Sequence, residues 1–148
     1  MKTTLITGGL GFIGSSICET LLQKKYTNKC ILLDNFGGYM NPIKDSFIDF
    51  RKQRFPSLKN IIIERCDTSN YKALSSIISK YKPNYIYHTA ALPLAKVSNL
   101  NNDEAKISSV DSTVNIIDAV NLLKNSNQKY QFDRFVYFSS SMVYGDFK

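Results

Sequence analysis

The chain has 148 residues, of which 43% are hydrophobic and 21% are charged, and its formal net charge is +7. These values are typical of one globular domain with its own core, and they exclude a disordered or collagen-like chain. No apolar run reaches the roughly 18–20 residues of a membrane span, so we expect no membrane partner. Glycines interrupt the first apolar stretch, where a signal peptide would have its apolar region, so we expect a cytoplasmic protein.

The distribution of reactive residues excludes further classes. Lysines and arginines are scattered along the chain, whereas a nucleic-acid surface clusters them with aromatic residues, so we expect no nucleic-acid partner. Cys18, Cys30 and Cys66 are widely spaced, and His88 is the single histidine. We therefore expect reduced, buried thiols and no metal site.

Short apolar runs alternate with stretches of helical periodicity along the whole chain. The predicted strands are residues 2–7, 30–33, a third that starts at 61–63 and ends near 66–67, 85–90 and 134–139. The predicted helices are residues 12–25, 43–54, a helix capped by 68–70 and ended by Pro83, and 103–124. Their predicted apolar faces are Ile13, Ile17 and Leu21; Ile43, Phe47 and Phe50; Leu74, Ile77, Ile78 and Tyr81; and Ile107, Val110, Val114 and Ile117 with Val120 and Leu123 beside them.

This alternation predicts an α/β fold of one domain over residues 1–148. Strands that alternate with helices form βαβ units and a parallel sheet. Right-handed crossovers then place helices on both faces, which gives a doubly wound, three-layer Rossmann-type sheet of about five strands.

A glycine-rich stretch connects the first strand to the first helix. Gly8, Gly9, Gly11 and Gly14 fit the spacing of a loop that approaches a pyrophosphate at a helix N-terminus. Asp34 ends the second apolar run 20 residues later, where a dinucleotide fold needs a carboxylate for ribose hydroxyls. A tight turn alone would explain the glycines, but it would not explain why a strand, a helix and Asp34 follow at the spacing of a dinucleotide site. A carboxylate repels a 2′-phosphate, so we expect NAD rather than NADP.

Four motifs in order identify a family resemblance: TGGLGFIG at 7–14, LDN at 33–35, HTAA at 88–91 and SSSMVYG at 139–145. The chain resembles the N-terminal part of an extended short-chain dehydrogenase/reductase, and more narrowly the NAD-dependent epimerase/dehydratases that act on nucleotide sugars. The resemblance implies NAD as cofactor and a nucleotide sugar, foremost a UDP-sugar, as substrate. It implies cofactor contacts at Gly8, Gly11, Phe12, Ile13, Gly14, Asp34, Asn35, Asp67, Thr68, Thr89, Ala90 and Ala91.

In this resemblance Asp67 holds the adenine amino group, although a helix-start role explains Asp67 as well. Ser140 matches the catalytic serine or threonine beside the reacting sugar hydroxyl, with the alternative of a serine turn that closes the strand. His88 is expected to be structural rather than catalytic.

The chain departs from the family pattern at two places. Ser109-Val110-Asp111-Ser112-Thr113 stands where relatives have Asn-Val-x-Gly-Thr, so Ser108 or Ser109 replaces the asparagine contact. The family's Tyr-x-x-x-Lys acid/base pair and its C-terminal sugar-binding part lie beyond residue 148. Tyr144 and Lys148 have the spacing of that pair, but Tyr144 belongs to the Val-Tyr-Gly signature and follows the fifth strand too closely.

Two functions remain open. The first is a nucleotide-sugar epimerase, by resemblance of the 4-epimerase type, in which a hydride passes to NAD and back through a keto intermediate. Residues 36–54 resemble epimerases, and the acidic residues that dehydratases keep after the catalytic threonine are absent at Ser141 and Met142. The second is a truncated NAD-binding module without catalysis of its own. A homo-oligomer and a complementing second chain are both open.

Overall fold

The structure is a computed structural model and describes residues 2–37, 53, 55, 59–92 and 102–145. Its strands are β1 (Thr3–Thr7), β2 (Lys29–Asp34), β3 (Ile61–Arg65), β4 (Tyr85–His88) and β5 (Arg134–Tyr137). Its helices are α1 (Phe12–Gln23), α2 (Tyr71–Tyr81), α3 (Asn102–Ala105) and α4 (Ser112–Ser126), with a π-helical stretch at Lys106–Asp111 and a 3₁₀ turn at Ser141–Tyr144. The five described strands form one parallel sheet in the order β3-β2-β1-β4-β5.

The central strands are apolar on both faces because helices cover both faces of the sheet. Alternate side chains of β1 and β2 divide between two clusters, with Leu5 and Ile31 on one face and Ile6 and Leu32 on the other. Helices α2 and α4 pack on the first cluster, and α1 packs on the second. The predicted three-layer, doubly wound Rossmann-type sheet is therefore confirmed.

Helix α2 follows the sequence expectation closely. The Asn70 side chain accepts a hydrogen bond from the Ala73 N–H (3.1 Å), which caps the first turn. Leu74 and Ile78 are fully buried, while Ile77 and Tyr81 pack against the same cluster. The helix ends at Tyr81, two residues before Pro83, which cannot continue it.

The predicted apolar face of the last helix is wrong in part. Ile107, Val110, Val114 and Ile117 are 42–54% exposed. Val120 and Leu123 are buried as expected, together with Ser112, Ile116 and Ala119. Ile107 and Val110 lie in the π-helical stretch Lys106–Asp111, which has more residues in each turn than an α-helix. Val114 and Ile117 lie in α4 itself, on a different side from the face that packs on the sheet.

Smaller differences concern single residues and element ends. Ile13 is exposed at the start of α1, whereas Ile17 and Leu21 pack against the sheet. Strands β4 and β5 end two residues earlier than predicted. The three cysteines are buried free thiols, as predicted. Within the described ranges no helix is long and apolar enough to cross a membrane.

Some expectations fall on residues outside the described part of the chain. They are the helix over 43–54, apart from residue 53, and Lys148.

Candidate functional site

The predicted site residues lie around the carboxyl ends of the parallel strands. Strand β1 lies between β2 and β4, and the crossover that leaves β1 leads to β2, whereas the crossover that leaves β4 leads to β5 in the opposite direction along the sheet. Such a reversal opens a crevice at the ends of the strands, where α/β proteins bind ligands. The glycine loop between β1 and α1 lies at this point.

The glycine loop packs so tightly that it leaves no room for a side chain at Gly8, Gly9 or Gly14. Gly8 has a φ of +63°, and a Cβ there would lie 3.0 Å from the backbone nitrogen of Ala90. A Cβ on Gly14 would lie 2.3 Å from the carbonyl oxygen of Gly8. The loop therefore folds back on α1 and touches Thr89 and Ala90 in the segment that follows β4, whereas Ala91 is exposed one residue further on.

Helix α1 begins directly after this loop. Gly11 precedes the first turn, and its N–H donates to the Gly8 carbonyl (2.9 Å). Phe12 and Ile13 are exposed. The N–H groups of a first helical turn have no partner within the helix and carry partial positive charge, so this end of α1 suits an anionic group.

The Asp34 carboxylate connects the end of β2 to the glycine loop. Its Oδ2 accepts the Leu10 N–H (3.1 Å) and its Oδ1 accepts the Phe36 N–H (3.0 Å). The residue is only 8% exposed. Each carboxylate oxygen can accept a second hydrogen bond, so Asp34 is held in a fixed position with acceptor capacity left for hydroxyl donors.

Asp67 lies beside Asp34 at the end of β3. Its Oδ1 accepts the Ser69 N–H (2.9 Å) and the Ser69 hydroxyl (2.7 Å), and its Oδ2 accepts the Asn35 amide (3.1 Å). Partial burial acts to raise the pKa of Asp67, but the hydrogen bonds from Ser69 and Asn35 outweigh it and hold the pKa below its usual value. The structure thus brings together Asp34, Asn35 and Asp67, with Asn35 directed toward Asp67.

His88 is at the centre of a buried polar chain. Its Nδ1 is 2.7 Å from the Thr7 hydroxyl, and its Nε2 is 3.3 Å from the Ser112 hydroxyl. The Ser112 hydroxyl in turn is 2.7 Å from the Thr68 hydroxyl. The residue is 2% exposed, and burial lowers the pKa of His88 to about 4, so the imidazole is neutral near pH 7.

Both ring nitrogens of His88 have a hydroxyl partner. Nδ1 faces the Thr7 hydroxyl, which also accepts the Ala90 N–H (3.2 Å), and Nε2 faces the Ser112 hydroxyl. In the neutral imidazole one of these nitrogens donates and the other accepts. A neutral imidazole with both nitrogens engaged inside the protein supports the expected structural role of His88.

Sequence reasoning missed two residues of the last crossover. Ser112 completes the buried chain between His88 and Thr68. Asn115 donates from its amide to the carbonyls of Thr68 (3.1 Å) and Ser69 (3.0 Å). Both are polar residues on the inward face of α4, which is the signal that could have found them, but the exposed apolar stripe of the same helix obscured that face.

The residues near β5 form a separate group. Ser140 is half-buried and precedes the 3₁₀ turn, in which Val143 and Tyr144 are exposed. Ser108 and Ser109 lie in the π-helical stretch and bond to nearby turns of the chain: the Ser108 hydroxyl donates to the Ala105 carbonyl, and the Ser109 carbonyl accepts the Thr113 hydroxyl. Tyr144 lies in a 3₁₀ turn directly after β5, whereas the family pair belongs to a later helix.

A Rossmann-type sheet with a glycine loop at its reversal point and a fixed acid at the end of β2 defines the class of dinucleotide-binding proteins. A model of the NAD dependent epimerase/dehydratase family matches residues 4–148. The chain belongs to this family, as the four sequence motifs indicated, and the prediction of NAD as cofactor is confirmed at the level of the family.

Relatives support this assignment over nearly the whole chain. It is 32% identical to a UDP-glucose 4-epimerase of Caenorhabditis elegans, and the alignment covers 95% of this chain and 38% of the relative. It is 29% identical to a dTDP-D-glucose 4,6-dehydratase of Dictyostelium discoideum, over 98% of this chain and 30% of the relative. The chain therefore spans well under half the length of these relatives.

Solved structures share the fold. A UDP-glucose-4-epimerase from Stenotrophomonas maltophila, crystallised with NAD and formylated UDP-arabinopyranose, aligns with a TM-score of 0.75 and 19% identity. The alignment covers 98% of this chain and 39% of that structure. At this identity the similarity concerns the fold.

Proposed function

We propose that this chain binds NAD at the carboxyl ends of β1 to β4. The observation that carries the proposal is the hydrogen bond from the Leu10 N–H to the Asp34 carboxylate (3.1 Å), which fixes the position of the acid relative to the glycine loop. In this proposal the pyrophosphate lies at Gly8, Gly11, Phe12, Ile13 and Gly14, as the close packing of the loop and the helix N-terminus favour.

The acids at the ends of β2 and β3 take the adenosine half. Asp34, supported by Asn35, accepts the ribose hydroxyls, and its negative charge disfavours the 2′-phosphate of NADP. Asp67, with Thr68 beside it, accepts the adenine amino group. Thr89, Ala90 and Ala91 line the other half of the cofactor, where the Thr89 hydroxyl is turned inward to the Thr7 carbonyl (2.6 Å).

We further propose that the whole protein acts on a nucleotide sugar, foremost a UDP-sugar, as a 4-epimerase. NAD when bound supplies a reversible hydride acceptor. Ser140 is the catalytic residue of this chain: its hydroxyl hydrogen-bonds the reacting sugar oxygen and passes on its proton. In this proposal the sugar-binding part and the Tyr-x-x-x-Lys pair lie in the portion of the protein that corresponds to the rest of the relatives' sequence. Buried free thiols support a reducing, cytoplasmic location.

The alternative is an NAD-binding module that has no catalysis of its own, or one that a second chain completes. It rests on the same cofactor site, and a homo-oligomer fits either proposal. Under both proposals we expect the purified 148-residue chain to bind NAD but not to epimerise UDP-glucose, and a Tyr-x-x-x-Lys pair in the reading frame after Lys148 would decide for the enzyme. Epimerisation by this chain alone would contradict the assignment of the acid/base pair to another part of the protein.

The cofactor proposal is tested by calorimetric titration of the folded chain with NAD and NADP. We expect NAD to bind more tightly, and Asp34→Asn to weaken NAD binding by about 10–100-fold, the value of hydrogen bonds to a charged group. Asp118→Asn is the matched control, because Asp118 is exposed on α4 and should leave the affinity unchanged. A folded chain that binds no NAD, or an Asp34→Asn variant that binds NAD as tightly as the wild type, would refute the proposal.

A further inference from the structure

The amide of Asn115 joins α4 to the segment between β3 and α2. One Nδ2 group donates to two successive carbonyls, those of Thr68 (3.1 Å) and Ser69 (3.0 Å). The two bonds cross 46–47 residues of sequence, so they are tertiary contacts and not part of a local turn. A single side chain of α4 therefore holds the backbone of Ser69 in place.

The other polar groups of Ser69 face Asp67. Its N–H and its hydroxyl both donate to Oδ1 of that carboxylate (2.9 and 2.7 Å). Movement of the Ser69 peptide would lengthen these bonds together, because the carbonyl held by Asn115 and the donors that hold Asp67 belong to the same residue. Asn115 thus acts on the Asp67 carboxylate through Ser69 without touching it.

The arrangement leaves Asp67 ready for one kind of ligand group. The carboxylate is ionised and accepts only, and Oδ2 carries a single described bond, from Asn35, on an exposed residue. An ionised, oriented acceptor attracts an amino group and repels a carbonyl oxygen. It therefore favours a 6-amino purine over a 6-oxo purine, because the 6-oxo oxygen brings a second acceptor to the place where the 6-amino group brings a donor.

We propose that Asn115 is a positioning residue that, through Ser69, orients the Asp67 carboxylate and thereby sets the preference of the site for 6-amino over 6-oxo purines. This inference rests on the proposed NAD site for its ligand, but its geometric part concerns only described residues of this chain.

The first test needs no ligand and follows the Asp67 carboxyl carbon by NMR during a pH titration of the 148-residue chain. Asn115→Leu keeps the shape of the side chain and removes both donors. We expect it to raise the pKa of Asp67 toward the ordinary carboxyl value, because the Ser69 donors are no longer held. Asn121→Leu, at an exposed asparagine of the same helix, should leave that pKa unchanged. If Asn115→Leu does not fold, Asn115→Ala removes the same donors with a smaller side chain.

The second test compares NAD with nicotinamide hypoxanthine dinucleotide, which has a 6-oxo group in place of the amino group. We expect the wild type to prefer NAD by about tenfold and Asn115→Leu to reduce this ratio to about threefold, while Asn121→Leu keeps it. In an Asp67→Asn background, Asn115→Leu should leave the ratio unchanged, since it acts through Asp67.

The outcomes separate this inference from the cofactor proposal. A wild-type chain that binds neither dinucleotide refutes the cofactor proposal, while the NMR titration still decides whether Asn115 positions Asp67. An unchanged Asp67 pKa in a folded Asn115→Leu variant overturns the inference. So does a variant that loses thermal stability but keeps the wild-type preference ratio, because a purely structural role would do the same.

Discussion

The first and last described crossovers of the sheet differ in what holds them in place. The first runs from the glycine loop through α1, and its backbone packs against backbone: Gly14 lies against Gly8, and Gly8 against Ala90. The last runs from Asn102 to Ser126, and it packs through side chains, with one apolar face buried and another exposed.

This difference explains which parts of the molecule a sequence pattern identifies. Where backbone meets backbone, only glycine fits, so the residue type itself records the contact. Where side chains mediate the contact, several faces of a helix can be apolar, and the neighbouring elements decide which one is buried. The contrast leads to three predictions of decreasing size.

The largest effect is expected for Gly8→Ala in the first crossover. The alanine would adopt a φ of +63° and place its Cβ 3.0 Å from the Ala90 nitrogen, so it combines left-handed strain with overpacking. Together these cost about 4 kcal/mol of the free energy of unfolding. Urea denaturation measures the change.

Gly145→Ala is the matched control for this variant. Gly145 has a φ of +67°, but a Cβ there would meet nothing within 4 Å. Its substitution should cost only the conformational strain, about 1 kcal/mol. Equal losses for the two alanine variants would show that backbone packing at Gly8 adds nothing.

The second prediction concerns two adjacent isoleucines of the last crossover. Ile116 is fully buried and Ile117 is 42% exposed on the same helix. Ile116→Ala should lower the free energy of unfolding by about 3 kcal/mol through the lost burial and the cavity, and Ile117→Ala by less than about 1 kcal/mol. The same denaturation measurement compares them. A larger loss for Ile117→Ala would mean that the helix buries the face predicted from sequence.

The fold was predictable because each strand carries its own local signal. Strand β2 is bounded by polar residues and buries every residue but the first, so its apolar run marked it within one residue of its observed ends. The ends of β4 and β5 were less certain, since the residues after them remain apolar or small while the ladder stops. The apolar face of the last crossover was predicted wrongly for two reasons. The periodicity of the sequence shows neither the π-helical stretch at Lys106–Asp111 nor which side of α4 packs on the sheet.

The candidate site was predictable where a short motif carries it. The glycines and Asp34 are close in sequence to the elements that they join, and the strand order brings them together. Ser112 and Asn115 could not be assigned from the sequence, because their partners Thr68, Ser69 and His88 are 24–47 residues away. Contacts of this range depend on the packing of α4 across the sheet, which a residue type alone does not specify.

The third prediction tests the connection between the two crossovers, which passes through His88. Thr7, which bonds Nδ1, precedes the first crossover, and Ser112, which bonds Nε2, begins α4 of the last. Burial lowers the pKa of His88 from 6.5 to about 4, so the unfolded chain takes up a proton at a higher pH than the folded one. The stabilisation is therefore present above pH 6.5 and is lost as the pH falls toward 4.

Between pH 7 and pH 5 this uptake should lower the free energy of unfolding by about 2 kcal/mol. His88 is the only histidine, so no other side chain with an ordinary pKa changes its charge in this interval. Urea denaturation at several pH values measures the slope, and His88→Gln should remove it whatever its own stability at pH 7. If the free energy of unfolding of His88→Gln falls with pH as steeply as that of the wild type, the acid sensitivity does not arise from protonation of His88.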